Sequence, residues 1–168
     1  RYCQVLPPKG RGYPEPDSPG ARLVAVGSTF PMAAVPVANY GSWTRTGWLI
    51  VISGQLPLKE GRIVASGKLG GAVNEETGAL AAKYCMIGPI AQLKSAVGDP
   101  SKVTKVVRLG GFISCTPDFT KHAAVMNGAS DLSVAVFGDA GRHARSTVGV
   151  PSLPLDAPVE VEGLFEVA

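Results

Sequence analysis

The apolar positions of this chain repeat in two ways. From Tyr40 onward, β-branched and aromatic runs alternate with segments whose apolar residues recur every three or four positions. Trp43 to Ser53, with Leu49-Ile50-Val51-Ile52 at its heart, predicts a strand closed by Gly54, and Pro57 bars easy continuation. Arg62 to Lys68 predicts a second strand, joined through a turn at Lys59-Glu60-Gly61. Asn74 is placed to cap a helix, with Glu75 and Glu76 in the first turn, where the helix dipole favours carboxylates. Leu80, Tyr84, Ile87 and Ala91 give that helix an apolar stripe, and Gly98 and Pro100 end it. Gly88-Pro89 lies inside and predicts a kink, because proline deletes a hydrogen bond there.

Val103 to Cys115 reads as a strand, with Gly110-Gly111 as a bulge or a point of close approach. Asp118 or Thr120 is placed to cap a second helix, whose stripe is Phe119, Ala123, Met126, Ser130, Val134 and Phe137. Gly138 to Gly141 ends it. Arg145 to Val150 and Val159 to Val167 are the last strands, separated by a turn over Pro151 to Pro158. In the final strand Val159 and Val161 alternate with Glu160 and Glu162, so one face is apolar and the other carries carboxylates. The order β-β-α-β-α-β-β predicts an α+β layer, one mixed sheet with two helices on one face. The other face is left half-apolar, which predicts an oligomer.

Residues 1–35 change the picture. Pro7, Pro8, Pro14, Pro16, Pro19 and Pro31 exclude a central strand or a long helix, so this stretch reads as an extended, Pro-rich arm before a domain spanning 36–168. Within it, Leu23 to Val26 fits either a short edge strand or a helical turn. The 168 residues suffice for one domain, and 45% hydrophobic against 17% charged residues excludes a wholly disordered chain. A net charge of +3 does not call for nucleic acid or an anionic membrane as partner. No apolar run approaches membrane-spanning length, and the start at Arg1-Tyr2-Cys3 has no secretory stretch. Cys3, Cys85 and Cys115 are widely spaced and odd in number, which fits reduced thiols in a cytoplasmic protein.

Several catalytic signatures are absent. Gly61 to Lys68 is one residue too long for a phosphate loop, and Leu69 stands where magnesium needs a hydroxyl. There is no nucleophile elbow and no paired-histidine zinc motif. His122 and His143 are far apart without repeating acidic partners, so no metal site is expected. Aromatic residues are too few for an RNA-stacking platform.

The segment Gly141-Arg142-His143-Ala144-Arg145-Ser146-Thr147-Val148-Gly149-Val150, then Leu153-Pro154-Leu155 and Val159-Glu160-Val161-Glu162, is distinctive. So are Pro36-Val37-Ala38-Asn39-Tyr40, Ser53-Gly54-Gln55-Leu56-Pro57-Leu58 and Val125-Met126-Asn127-Gly128. Together these resemble the YjgF/Rid family of reactive-intermediate deaminases, in its longer, endoribonuclease L-PSP-like branch. The resemblance implies a chorismate-mutase-like α+β fold and a homotrimer whose sheets line a barrel, with ligand clefts between subunits. It implies hydrolysis of 2-imino acids and enamines to 2-keto acids and ammonia, without metal or organic cofactor. By motif position it assigns Arg145 to the substrate carboxylate and Glu160 to catalysis. Tyr40, Gly54, Asn127 and Thr147 join Arg145 as substrate-binding residues. The family often has cysteine where Thr147 stands, so no thiol chemistry follows. The shorter deaminases have Gly-Pro-Tyr-Ser-like residues where this chain has Asn39-Tyr40-Gly41-Ser42, which alters the cleft wall.

These residue types suit the chemistry. A guanidinium presents parallel donors to a carboxylate, and such a charge-assisted pair contributes about 1.5–3 kcal/mol. A glutamate beside an imine carbon can orient water or carry its proton, an effect of about 10²–10⁴-fold. The alternative is a trimer that binds a small carboxylate and regulates a partner without turnover. A third reading is ribonuclease or translation-inhibitor activity, suggested by the family's older name: His122 and His143 could form an acid–base pair for RNA cleavage, but they lie on different elements without an aromatic platform. The simplest reading of Arg142 and His143 is a solvated loop.

Overall fold

The computed structural model describes residues 17–33 and 39–168. The boundary expected between residues 35 and 36, and the motif residues Pro36-Val37-Ala38, lie outside the described residues. Helix α1 covers Pro19–Ala25, with Ser18 as its N-cap (Ala21 N to Ser18 Oγ, 3.2 Å). The arm is therefore not extended throughout: Leu23 is fully buried in the common core. Of the two readings of Leu23 to Val26, the helical one holds through Ala25, because Ser18 and Pro19 supply a start signal.

The expected strand from Trp43 to Ser53 is a hairpin. β1 (Trp43–Thr46) and β2 (Leu49–Gln55) pair antiparallel around Gly47, whose φ of 57° breaks the run. The expected strand Arg62–Lys68 shrinks to Arg62–Ile63 (β4), paired with Leu58–Lys59 (β3). Glu60 and Gly61 both have positive φ, the conformation a two-residue hairpin turn requires. Beyond it, Gly67 donates its N–H to the Asp156 carbonyl instead of a strand partner.

Helix α2 (Glu75–Val97) starts at Asn74, whose Oδ1 accepts from Thr77 N at 2.8 Å. It continues through Pro89 to Gly98. Its core face is wider than the expected stripe, of which Ile87 and Ala91 are buried and Tyr84 packs against the core. Ala81, Ala82, Cys85, Met86, Ile90 and Leu93 are buried, whereas Leu80 is exposed. Two layers press on this helix, so its buried arc is wider than one stripe. β5 is Val103–Ser114. Its irregularities lie at Val103/Lys105 and Val106/Arg108, while Gly110-Gly111 keeps regular register. The glycines serve close approach instead, to Glu162 and Met126.

Helix α3 (His122–Phe137) is capped by neither Asp118 nor Thr120; Lys121 holds the N-cap position without a side-chain bond. Its buried face runs through Val125, Met126, Ala129, Leu132, Ser133, Val136 and Phe137. Met126 and Phe137 of the expected stripe are buried and Phe119 packs against the core, but Ala123 is exposed. Gly128 sits where any Cβ would overlap the Ala79 carbonyl oxygen, so the two long helices cross backbone to backbone. β6 is Ala144–Val150 and β7 is Val159–Val167. The main sheet has five strands in the order β1-β2-β7-β5-β6. Only β5 and β6 run parallel, joined through α3. The result is the expected mixed sheet with α2 and α3 on one face. Among the described residues no helix is long and apolar enough to cross a membrane.

Leu23→Ala tests whether α1 belongs to the core. Emptying this site is expected to cost about 2–5 kcal/mol in denaturant unfolding. A change below about 0.5 kcal/mol, the size of an ordinary surface substitution, would show that α1 does not pack there.

Candidate functional site

Strand β6 forms one edge of the sheet and alternates its side chains between two environments. Arg145, Thr147 and Gly149 stand opposite Leu109, Gly111 and Ile113 of β5. Leu109 and Ile113 are buried beneath the helices, so this set faces the helix layer. Arg145 reaches α3 there. Its Nη1 donates to Ser130 Oγ at 3.0 Å and its Nη2 to the Ala123 carbonyl at 3.3 Å. Ala123, Asn127 and Ser130 form one strip along α3, so the exposed Asn127 lies between the groups Arg145 touches. Among the described residues no carboxylate comes within ion-pair distance of Arg145. The Thr147 hydroxyl is buried with no partner among the described residues.

Glu160 belongs to the other face. It stands opposite Phe112 in β5, which in turn faces Val148 in β6, three positions from Arg145 and so on the other face. Its carboxylate is half-buried over Gly54, where any Cβ would overlap Oε1. Glycine at 54 is thus what admits the carboxylate to its seat. Burial, and then the nearby charge of Glu162, push the Glu160 pKa above the usual glutamate value. Tyr40 is 53% exposed and directly precedes two residues bonded to Ser53, the neighbour of Gly54. The adjacent Gly41 carbonyl accepts from Ser53 Oγ at 2.9 Å, and the Ser42 carbonyl accepts from Ser53 N at 3.0 Å.

The candidate residues therefore form two half-sites. Arg145, Asn127 and Thr147 belong to the β6–α3 side, while Glu160, Gly54 and Tyr40 gather at the β2–β7 side. Arg145 and Glu160 are not brought together within one chain. The face that carries Glu160 also exposes Val51 and Val148, 43% and 49% accessible, and holds the Arg108–Glu162 pair at 3.8 Å. A cavity of about 560 Å³ lies elsewhere, between the 27–32 segment, the β3–β4 turn and Tyr84 of α2; none of the candidate residues lines it.

Sequence reasoning missed the partners of Arg145. His143 is not simply part of a solvated loop: it is partly buried, with Nε2 3.0 Å from Ser130 Oγ. Arg142 does fit the loop description, being exposed and paired with Asp139 at 3.4 Å. The signal was the two-residue spacing of His143 and Arg145, which sends both side chains toward the same side of an extended chain. His122 is engaged separately, with Nε2 3.5 Å from Cys115 Sγ. Among the described residues no group of three or more His, Cys, Asp or Glu could hold a metal ion.

Comparisons with known proteins agree with this architecture. Residues 20–166 match the family model described as "YjgF/chorismate_mutase-like, putative endoribonuclease". The match takes in α1, within the stretch that reads from sequence as an arm. Protein TCP17 of Trypanosoma cruzi is 42% identical over 147 residues, covering 87% of this chain and 92% of that protein. The crystal structure of Atu1372 from Agrobacterium tumefaciens, a protein of unknown function, is 40% identical, with a TM-score of 0.85 over 89% of this chain and 92% of that one. A "putative endoribonuclease" from Shewanella oneidensis MR-1 is 33% identical, with a TM-score of 0.87 over 89% of this chain and 99% of that one.

The raised pKa of Glu160 has a measurable consequence. The folded chain holds this proton more tightly than the unfolded chain, so stability falls as pH rises from the ordinary glutamate range through the raised value. Glu160→Gln is expected to raise Tm at about pH 8, and the gain should shrink on acidification to about pH 4. A Tm difference independent of pH would show that Glu160 titrates normally.

Proposed function

Because the chain belongs to the YjgF/chorismate mutase-like family, we propose that it hydrolyses reactive 2-imino acids and their enamine tautomers to 2-keto acids and ammonia, in clefts between copies of a homotrimer. The observation that supports this reading is the division of the site. A guanidinium without a carboxylate partner among the described residues stands on one side of the sheet, and a half-buried carboxylate of raised pKa stands on the other. Two copies are needed to bring such halves together. They would meet where the edge strand β6 of one copy, which carries Arg145, approaches the half-apolar face of the next, with Val51, Phe112, Val148 and Leu164.

In such a cleft Arg145 of one copy holds the substrate carboxylate, with Asn127 beside it. Glu160 of the facing copy, seated over Gly54, takes a proton from the attacking water. The oxygen adds to the imine carbon and the nitrogen is protonated. The carbon–nitrogen bond then breaks as the carbonyl forms and ammonia leaves. The raised pKa suits Glu160 to both receiving and returning that proton. Water and proton transfers complete the reaction, so the route calls on no cofactor. The free thiols of Cys85 and Cys115 suit a reducing compartment, and on that ground we place the protein in the cytoplasm. A ribonuclease mechanism pairing His122 with His143 has less support, since His122 contacts Cys115 and His143 contacts Ser130.

The test is ammonia and keto-acid release when the protein is added to an amino-acid oxidase that generates imines. Arg145→Ala is expected to lower the rate about a hundredfold, the equivalent of roughly 2–3 kcal/mol. Co-expressing Arg145→Ala with Glu160→Gln should restore activity to about a quarter of sites, those whose two halves come from different, undamaged sources. Failure to restore would overturn the shared site. Ligand-dependent melting shifts without turnover would favour a carboxylate-binding regulatory trimer instead.

A further inference from the structure

The hydrogen bonds behind Arg145 run in one direction. The Gly141 carbonyl accepts from Ser133 Oγ at 2.8 Å and lies 2.6 Å from His143 Nδ1. A carbonyl oxygen only accepts, so Nδ1 carries the proton in this bond. Neutral His143 then presents a bare Nε2 to Ser130 Oγ, 3.0 Å away. The Ser130 hydroxyl proton must turn to that nitrogen, leaving an oxygen lone pair for Arg145 Nη1, also at 3.0 Å. Each link determines the next. The imidazole fixes the hydroxyl, and the hydroxyl fixes one arm of the guanidinium.

We propose that His143 and Ser130 are positioning residues for Arg145, and that they couple carboxylate binding to protonation of His143. This rests on the reading of Arg145 as the carboxylate anchor. When His143 gains a proton, Nε2 becomes a donor and Ser130 can no longer donate to it. The Ser130 oxygen must then serve two cationic donors. With both links at 3.0 Å, Nε2 and Nη1 are no more than about 6 Å apart. Two positive groups at that separation disfavour one another until an anion arrives. A carboxylate on Arg145 therefore favours the imidazolium, and the imidazolium favours the carboxylate, as linkage requires. Bound anion is held more tightly when His143 is protonated.

The surrounding charges leave this coupling in place. On β6 the facing charge is Arg145 itself. In the turn before β6, Arg142 is paired with exposed Asp139. On α3, Asp131 lines the groove with Leu80 and Lys83. On β5, Arg108 is engaged with Glu162 on the opposite face of the sheet.

Pyruvate is a suitable probe, because it remains fully ionised across the histidine range and is a 2-keto acid. Calorimetric binding to the full chain is expected to tighten about tenfold between about pH 8.5 and 5.5, with proton uptake on binding. His143→Gln keeps an amide oxygen for Ser130 but does not titrate, so its affinity should rise less than the wild type's as pH falls, the remaining slope being that of Glu160. Ser130→Ala removes the link and should bind more weakly at pH 8.5. If wild type binds no pyruvate, or Arg145→Ala binds it equally well, the anchor reading fails and the coupling with it. If binding needs Arg145 but wild type is flat, or His143→Gln keeps the full pH slope, the coupling alone fails. Imidazole NMR of the wild type requires no substitution. Pyruvate should move the His143 titration midpoint upward, and an unmoved midpoint overturns the coupling even if a variant does not fold.

Discussion

A strand sends successive side chains to opposite faces, and that constraint governs everything in the candidate site. Arg145 and Glu160 stand on strands of one sheet, in unbroken register across Leu109 to Phe112 of β5. No rotamer carries one through the sheet to the other. Meanwhile α2 and α3 cover a single face, so the guanidinium finds a helix to rest on while the carboxylate is left on the open side. If these groups act together, the fold demands a second copy. The composite cleft proposed above is thus a consequence of alternation and one-sided cover, before any detail of substrate.

Much of this was legible in the sequence where a local rule has no competitor. Asn74 capped its helix as its side chain requires, and Gly98 ended it. The alternation of valine and glutamate in β7 placed Glu160 on the face away from the core. Other features depend on contacts that no local pattern records. The split of Trp43–Ser53 needed Gly47 to take a positive φ, and the loss of most of Arg62–Lys68 followed from Gly67 bonding across to Asp156. The expected helix stripes were too narrow because α2 and α3 each bury a broad arc, fixed where Gly128 meets the backbone of Ala79. Leu23 illustrates the same limit: its tetrapeptide favours neither helix nor strand, and only the preceding Ser18-Pro19 and the waiting core decide.

For the candidate site, motif position identified the residues but not their grouping. Gly54 is intelligible only beside Glu160, since the missing side chain is the space the carboxylate occupies. Ser130 carried no sequence signal for its role, because a serine at one turn's spacing from Met126 reads as part of an apolar stripe. Its meaning comes from standing between His143 and Arg145. Chemistry-bearing residues can be named from their order in the chain, whereas the groups that orient them are set by tertiary packing.

The two half-sites also differ in how they are prepared. Glu160 is tuned by exclusion: desolvation and a neighbouring carboxylate make its charged form costly, so it is ready to hold a proton. Arg145 is tuned by contact, since hydrogen bonds fix its direction while its charge stays unpaired among the described residues. Covering the open face with another copy would deepen the first effect, because it removes more water from around Glu160. The second needs no such cover, as Ser130, Ala123 and His143 all come from the same chain. Assembly would therefore bring an anion site already oriented within each copy to a carboxylate whose proton affinity rises on contact. That order of events, orientation within the chain and activation between chains, would suit the substrate proposed for it, which carries both an acid group and a reactive carbon–nitrogen bond.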